Sequence, residues 1–376
     1  MESHGEDAMS HPSGPTNYLK AGVDTEREER VLSRLIHTAS QTFAFVRDIG
    51  KPVLPIGFFA NVLDLGRGAG LALSTDGVGT KIIIAQMMQK YDTVGIDCVA
   101  MNANDVLCVG ARPISFLDYI AVQEANPDLL EQLMDGLKEG ARLASVAICG
   151  GEIAQVREMI ASERDGWGFD LVGMCVGHVR LDQLITGRSI TPGDVIIGIG
   201  SSGIHSNGLT LARRVLFRQN NYSVDTRFED LGRTLGEELL EPTTIYVSEV
   251  VEAIERPLAI KGLAHITSDG LLNLLRFDTG QTEVGYVIDQ LPPIPPIFSL
   301  IQRSGNLPDE EMFRVFNMGI GFCVVLSEGD SDEFMEIVKR NGKEACRIGH
   351  VVKDPERKVL IGPYGLLGQG SAFEKV

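Results

Sequence analysis

Apolar positions recur along the chain with two periods, and the switches between them mark out its elements. Between Asp24 and Gln41, Val31, Leu32, Leu35 and Ile36 share one helical face, behind a capping-box pattern of Thr25 and Glu28. The segment "LALSTDG" predicts a strand running into an Asp76-Gly77 turn, and "TKIIIAQMMQKY" after it predicts a helix. A stronger helix is predicted from Asp92 to Val109: Ile96, Val99, Ala100, Ala103, Val106 and Leu107 cover an apolar arc of roughly 120° at 3.6 residues per turn. Asp97 and Asn104 lie together off that stripe, and Asp105 sits opposite it. "PISFLDYIAV" reads as a strand, and Asn126-Pro127 opens a helix that runs to about Ala144. "VAICGGE" and "FDLVGMCVGHV" are further strands.

The polar stretch "RLDQLITGRSITPGD" then breaks the pattern. Beyond it follow the strand "VIIGIG", a glycine-rich loop, a helix, more helix around "PTTIYVSEVVEAIE", the strand "IGFCVVL", and a closing helix and strand. Pro292, Pro293, Pro295 and Pro296 predict a stiff turn into a helix. The alternation gives an α+β chain with two sheet-bearing halves meeting near residue 185. Residues 1–17 are expected to be a disordered extension, 18–184 one domain and 185–376 the second. A length of 376 residues fits two domains.

Composition narrows the chemistry. A formal charge of −17 argues against nucleic acid or an anionic membrane as partner, since phosphate backbones are held by clustered Lys and Arg. No apolar run approaches the roughly 20 residues needed to span a bilayer. The six cysteines form no C-x-x-C pair, so neither a disulfide framework nor structural zinc is expected, and a reduced, cytoplasmic setting fits. So acidic a chain can bind a phosphorylated small molecule only locally, through backbone N–H groups, a few Lys residues or a divalent cation.

Three stretches supply such groups. Gly198, Gly200 and Gly203 spell G-x-G-x-x-G, but "IHSNG" follows and helical periodicity begins only at Leu209, too late for a dinucleotide turn. The loop "GSSGIHSNG" is instead suited to an anion, and His205 within it could act as acid, base or donor; an ordinary left-handed connection explains its glycines alone. "STDGVGTK" offers Asp76 as a cation ligand, Gly77 and Gly79 for close backbone approach, and Lys81 as a point charge; a plain turn is the alternative. "NAND" places Asn104 and Asp105 on the strong helix, where a solvated face is the alternative. Glu152, after a strand and two glycines, completes with Asp76 and Asp105 a set of three carboxylates able to hold triphosphate through Mg²⁺. His265 in "LAHITSDG" is the second candidate histidine.

Taken in order, "STDGVGTK", "DTVGIDCVAMNANDVLCVGARPISFLDY", "CGGE", "GSSGIHSNG", "EPTTIYV" and "FNMGIGF" resemble the phosphoribosylformylglycinamidine cyclo-ligase family, from about Tyr18 to the C-terminus. The resemblance implies the aminoimidazole ribonucleotide synthetase-like fold, with an N-terminal sheet domain that pairs in a homodimer and a C-terminal α/β sandwich. It implies ATP-dependent closure of formylglycinamidine ribonucleotide to aminoimidazole ribonucleotide in purine biosynthesis. Combined with the motif chemistry above, the expected sites are ATP on Asp76, Gly77, Gly79, Thr80, Lys81 and Asn104, substrate on Gly203, Ser206, Asn207 and His265, catalysis on His205, Lys81 and Asp105, and Mg²⁺ on Asp76, Asp105 and Glu152. Three segments depart from the family pattern: "PIGFFANVLDLGRG" is glycine-poorer, "HITSDG" replaces an "HLTGGG"-like segment, and "GGEIAQVR" replaces "GGETAEMP". A divergent ATP-dependent paralogue, or a nucleotide-binding protein without catalysis, are the alternatives. The selenophosphate synthetases are disfavoured because their reactive cysteine lies in the N-terminal loop, whereas the first cysteine here is Cys98.

Overall fold

A computed structural model describes residue 21, residues 25–280 and residues 282–376. The expected extension 1–17 and the side chains of the Thr25–Glu28 capping pair lie outside what it describes. The first half is a six-stranded sheet in the order β1-β2-β3-β6-β4-β5, from β1 (Lys51–Pro52), β2 (Asn61–Asp64), β3 (Ala69–Gly77), β4 (Arg112–Val122), β5 (Ala147–Gln155) and β6 (Phe169–Arg180). All pairs are antiparallel except β4–β5, which is parallel. That pair needs a crossover, supplied by one of the helices α1 (Thr25–Gln41), α2 (Lys81–Met88), α3 (Asp92–Leu107) and α4 (Pro127–Ala144). It is α4, and it starts where the sequence predicts: the Asn126 side chain accepts from the N–H groups of Asp128 and Leu129, with Pro127 in the first turn.

Helix α3 packs between this sheet, α4 and the second half, and is therefore buried nearly all round. Asp97, Asn102 and Asn104 are fully buried on it, so the solvated-face reading of "NAND" does not hold. Among the described residues, only one face of the sheet is covered. Ser74, Cys175 and Phe116, aligned across β3, β6 and β4, are buried on the α3 side, whereas Tyr119 and Met174 on the opposite face are exposed.

The chain crosses through residues 181–194 into an eight-stranded sheet of order β14-β13-β12-β9-β11-β7-β10-β8. Its strands are β7 (Val195–Gly200), β8 (Ile260–His265), β9 (Val284–Ile288), β10 (Ile320–Leu326), β11 (Ala345–Lys353), β12 (Val359–Ile361), β13 (Leu366–Gln369) and β14 (Ala372–Lys375). Central β7 and β10 are buried on both faces and read as continuous apolar runs, as strands covered on both sides must. The helices are α5 (Leu209–Arg213), α6 (Leu235–Leu239), α7 (Val247–Ile254), α8 (Pro296–Gly305), α9 (Asp309–Val315) and α10 (Ser331–Arg340). Pro296 opens α8, as the proline run predicts. One expectation is corrected. "PTTIY" is not helical; α7 begins only at Val247, and residues 241–246 run as an irregular segment bonded to both halves of the molecule. Among the described residues, no helix is long and apolar enough to cross a membrane.

Candidate active site

The two glycine-bearing motifs meet where the halves join. β3 delivers Asp76 and Gly77 to the turn before α2, and β7 delivers the loop 200–208. The Thr80 and Thr210 hydroxyls lie 3.0 Å apart across the seam. Gly79, at φ +68°, is exposed with open space where a side chain would stand, so its backbone is approachable. On the opposite wall Ser206 and Asn207 are partly exposed, and the Ser268 hydroxyl of the "HITSDG" segment donates to Asn207 Oδ1 (3.2 Å). The left-handed Gly208 starts α5: a Cβ there would lie 2.3 Å from the Phe316 ring.

At the floor stands Asp105. His265 Nδ1 lies 2.9 Å from its Oδ1, and the Ser74 hydroxyl 3.5 Å from its Oδ2. The histidine tautomer follows from its other neighbour. Asn104 Oδ1 accepts from the Tyr246 N–H (3.0 Å), which turns Asn104 Nδ2 toward the Thr244 carbonyl (2.9 Å) and His265 Nε2 (3.4 Å). Nε2 is thus the acceptor and Nδ1 carries the proton, donated to Asp105. His265 is fully buried, so it does not line the cleft; it orients Asp105, which remains partly exposed. Burial, then the charge of Asp105, push the Asp76 carboxyl above its usual range. A buried carboxylate beside a second one has the donor chemistry of a divalent-cation seat.

Beyond His265 and Asn104, which are fully buried, three further expected site residues have a different place. Glu152 sits on the edge strand β5 opposite Tyr119, with β6 and β4 between it and β3. At about 4.8 Å per strand that is roughly 14 Å from the Asp76 strand. Among the described residues, no group of three or more His, Cys, Asp or Glu side chains is gathered to hold a metal. Glu152 is therefore not gathered with Asp76 and Asp105.

Lys81 is the second correction. It is fully buried, with Nζ 2.9 Å from Asp97 Oδ1 and donating to the Glu241 carbonyl (2.6 Å). Asp97 Oδ1 also accepts from the N–H (2.7 Å) and hydroxyl (2.6 Å) of Thr243. Freeing Lys81 for a phosphate would strand Asp97 in the interior, at about 3–5 kcal/mol. Lys81 joins the two halves and does not face the cleft.

His205 is the third. Its ring is buried at 1% exposure, and Nε2 accepts from the N–H groups of Ser202 (3.2 Å) and Thr244 (3.4 Å). Burial, with His265 and Lys81 nearby, holds the imidazole well below its usual range and neutral at pH 7. Its backbone is left-handed at φ +60°. It braces the loop from behind, next to the equally buried Gly203.

The residues that do this holding were quoted in motifs but given no chemistry: Asp97, Thr243, Tyr246 and Asn317. Asn317 of "FNMGIGF" accepts from the Ser201 hydroxyl (3.0 Å) and donates to the Gly203 carbonyl (2.9 Å). Tyr246 reaches over Gly321 to donate to the Gly200 carbonyl (2.8 Å); a Cβ on Gly321 would lie 1.9 Å from that hydroxyl. Their signal in the sequence was a short polar residue placed between apolar runs, which does not reveal a partner over a hundred residues away.

Two sheet domains clasped along a buried helix, with a glycine turn from each facing one cleft, define a protein of the AIR synthase-related class. Family models described as "AIR synthase related protein" match residues 59–179 as the N-terminal domain and 191–362 as the C-terminal domain. The phosphoribosylformylglycinamidine cyclo-ligases of Thermococcus kodakarensis and Pyrococcus horikoshii are 47% and 45% identical over 350 residues, 93% of this chain and 98% of theirs. The chain belongs to the phosphoribosylformylglycinamidine cyclo-ligase family. A crystal structure of the hydrogenase maturation protein HypE in complex with ATP shares the fold, with a TM-score of 0.57 at 19% identity over 81% of this chain and 85% of that one.

Proposed function

We propose that this chain is a ligase that closes formylglycinamidine ribonucleotide to aminoimidazole ribonucleotide, using ATP and releasing ADP and phosphate. The observation that carries it is the identity of 45–47% over 93% of the chain with cyclo-ligases. ATP enters on the side of Asp76, Gly77, Gly79 and Thr80, where the backbone is open to phosphate. The ribonucleotide lies against Ser206, Asn207 and Ser268. The formyl oxygen attacks the γ-phosphorus, ADP leaves, and the amidine nitrogen then attacks the formyl carbon of the same molecule. Phosphate departs with the former formyl oxygen. The rate gain comes from alignment and charge neutralisation, since both reacting centres belong to bound molecules.

Asp76 and Asp105 would hold Mg²⁺, which would supply charge neutralisation to the triphosphate. The burial of the Asp76 carboxyl beside Asp105 fits such a group. His265 holds the Asp105 carboxylate in orientation through its Nδ1–H, and Asn104 holds His265. Lys81 and His205 keep the two walls in place without touching either ligand. The uncovered sheet face around Tyr119 and Met174 is the surface on which two copies pair as a homodimer, and the setting is the cytoplasm. The test is a coupled assay of ADP release: release that requires formylglycinamidine ribonucleotide and yields aminoimidazole ribonucleotide supports the reading. ATP hydrolysis indifferent to that substrate refutes it.

A further inference from the structure

The irregular segment Glu241–Tyr246 is bonded at successive residues to both halves. On the N-terminal side, the Glu241 carbonyl accepts from Lys81, Thr243 donates twice to Asp97, the Thr244 carbonyl accepts from Asn104, and the Tyr246 N–H donates to Asn104. On the C-terminal side, the Pro242 carbonyl accepts from the Ser202 hydroxyl (2.6 Å), the Thr243 hydroxyl lies 3.3 Å from that of Ser206, the Thr244 N–H donates to His205 and the Tyr246 hydroxyl donates to Gly200. Thr243, Thr244 and Tyr246 therefore each bond to both sides, and Glu241 and Pro242 each add a bond to one side.

We infer that this segment is a coupling strap, and that Asp97 and Thr243 are positioning residues that keep the glycine loop in register with the Asp76–Thr80 turn. The inference deepens the cyclo-ligase reading and rests on it. Thr243 is the joint. One oxygen of Asp97 takes three donors, while its Oδ2, buried, has none, so Lys81 and Thr243 alone set how the carboxylate lies. Lys81 is the neighbour of Thr80 on one wall, and Ser206 is the neighbour of Asn207 on the other. A shift at Thr243 thus reaches both walls within two residues. In a displacement that needs reacting atoms held to a few tenths of an ångström, that shift is felt in turnover before it is felt in the binding of either ligand.

The test is Thr243→Val, which keeps the shape and the N–H but removes the hydroxyl, with Thr243→Ser as the conservative rescue. Thr243→Val is expected to lower kcat tenfold or more with KM for ATP within threefold, and Thr243→Ser to stay within threefold of wild type. Amide exchange, measured without substrate, gives a reading independent of activity: the Ser202 and Thr244 amides should lose protection tenfold or more while α3 keeps its own. Wild-type kcat and wild-type protection in Thr243→Val would overturn the strap. Should that variant not fold, Ser202→Ala removes the milder bond to Pro242 and is read the same way, with at least a threefold loss of kcat expected and no loss overturning the strap. A wild-type chain inactive on formylglycinamidine ribonucleotide refutes the cyclo-ligase reading instead, and the exchange data still decide the strap.

Discussion

Replacing Lys81 by Met separates a structural role for this lysine from the phosphate-binding role that "STDGVGTK" suggests. Both partners of the Lys81–Asp97 pair are fully buried. In Lys81→Met the Asp97 carboxylate keeps only the two Thr243 donors, and the Glu241 carbonyl loses its lysine. Breaking one side of a buried pair costs about 3–5 kcal/mol, because the remaining charge is uncompensated. That is a large share of the roughly 5–15 kcal/mol that holds a domain together. For a unit of roughly 150–250 residues each kcal/mol moves Tm by about 2–4 °C, so a fall of about 6–20 °C is expected.

The double variant Lys81→Met/Asp97→Leu removes both charges and recovers most of that loss, since a buried pair is replaced nearly neutrally by apolar groups of similar size. Thermal melts with urea titrations measure the stability, and calorimetric titration measures ATP affinity. If Lys81 were a phosphate ligand, Lys81→Met would lose ATP affinity with little change in Tm. A fall of less than about 2 °C with ATP binding abolished would refute the reasoning, on the same scale of conversion.

Other outcomes follow from the same geometry. Asp76→Asn is expected to abolish Mg²⁺-dependent ATP binding, whereas Glu152→Gln leaves it intact; isothermal titration with and without Mg²⁺ reads both, and the reverse pattern would restore Glu152 to the site. His205→Asn should lower stability and kcat together, and it should also change the pH dependence of unfolding. The buried imidazole has its pKa depressed, so the unfolded chain binds the extra proton first and the wild type loses stability as pH falls below the unfolded value of about 6.5. The variant lacks that loss, and urea midpoints between pH 7 and pH 5 measure the difference. Sedimentation at micromolar concentration should find a dimer, and Met174→Glu, on the uncovered sheet face, should give a monomer.

What could be read from the sequence divides along a physical line. Period and caps are local, so α3, α4 and the apolar strands β7 and β10 were legible, as was the delayed start of α5 at Leu209 that removes the dinucleotide reading. The α+β architecture followed from their alternation, and the order of the motifs placed the chain in its family. Partners are not local. A lysine after "DGVGT" has the chemistry of a phosphate ligand, and only the fold shows it buried against Asp97, 16 residues on, and against the Glu241 carbonyl, 160 residues on.

The same limit governs the histidines and the acids. His205 and His265 stand in similar sequence surroundings, small polar residues behind an apolar run. One is fixed as an acceptor behind the loop and the other as a donor to Asp105, and the difference lies in which backbone N–H or amide faces each ring. Glu152 reads as a strand-end carboxylate like Asp76, but it lies within β5 (Ala147–Gln155), and strand order puts β5 at the far edge. The segment "EPTTIY" shows the converse. Its Pro and paired Thr make a poor helix, against the helical expectation for "PTTIYVSEVVEAIE", and their hydroxyls and carbonyls are what an irregular segment needs to be held between two domains.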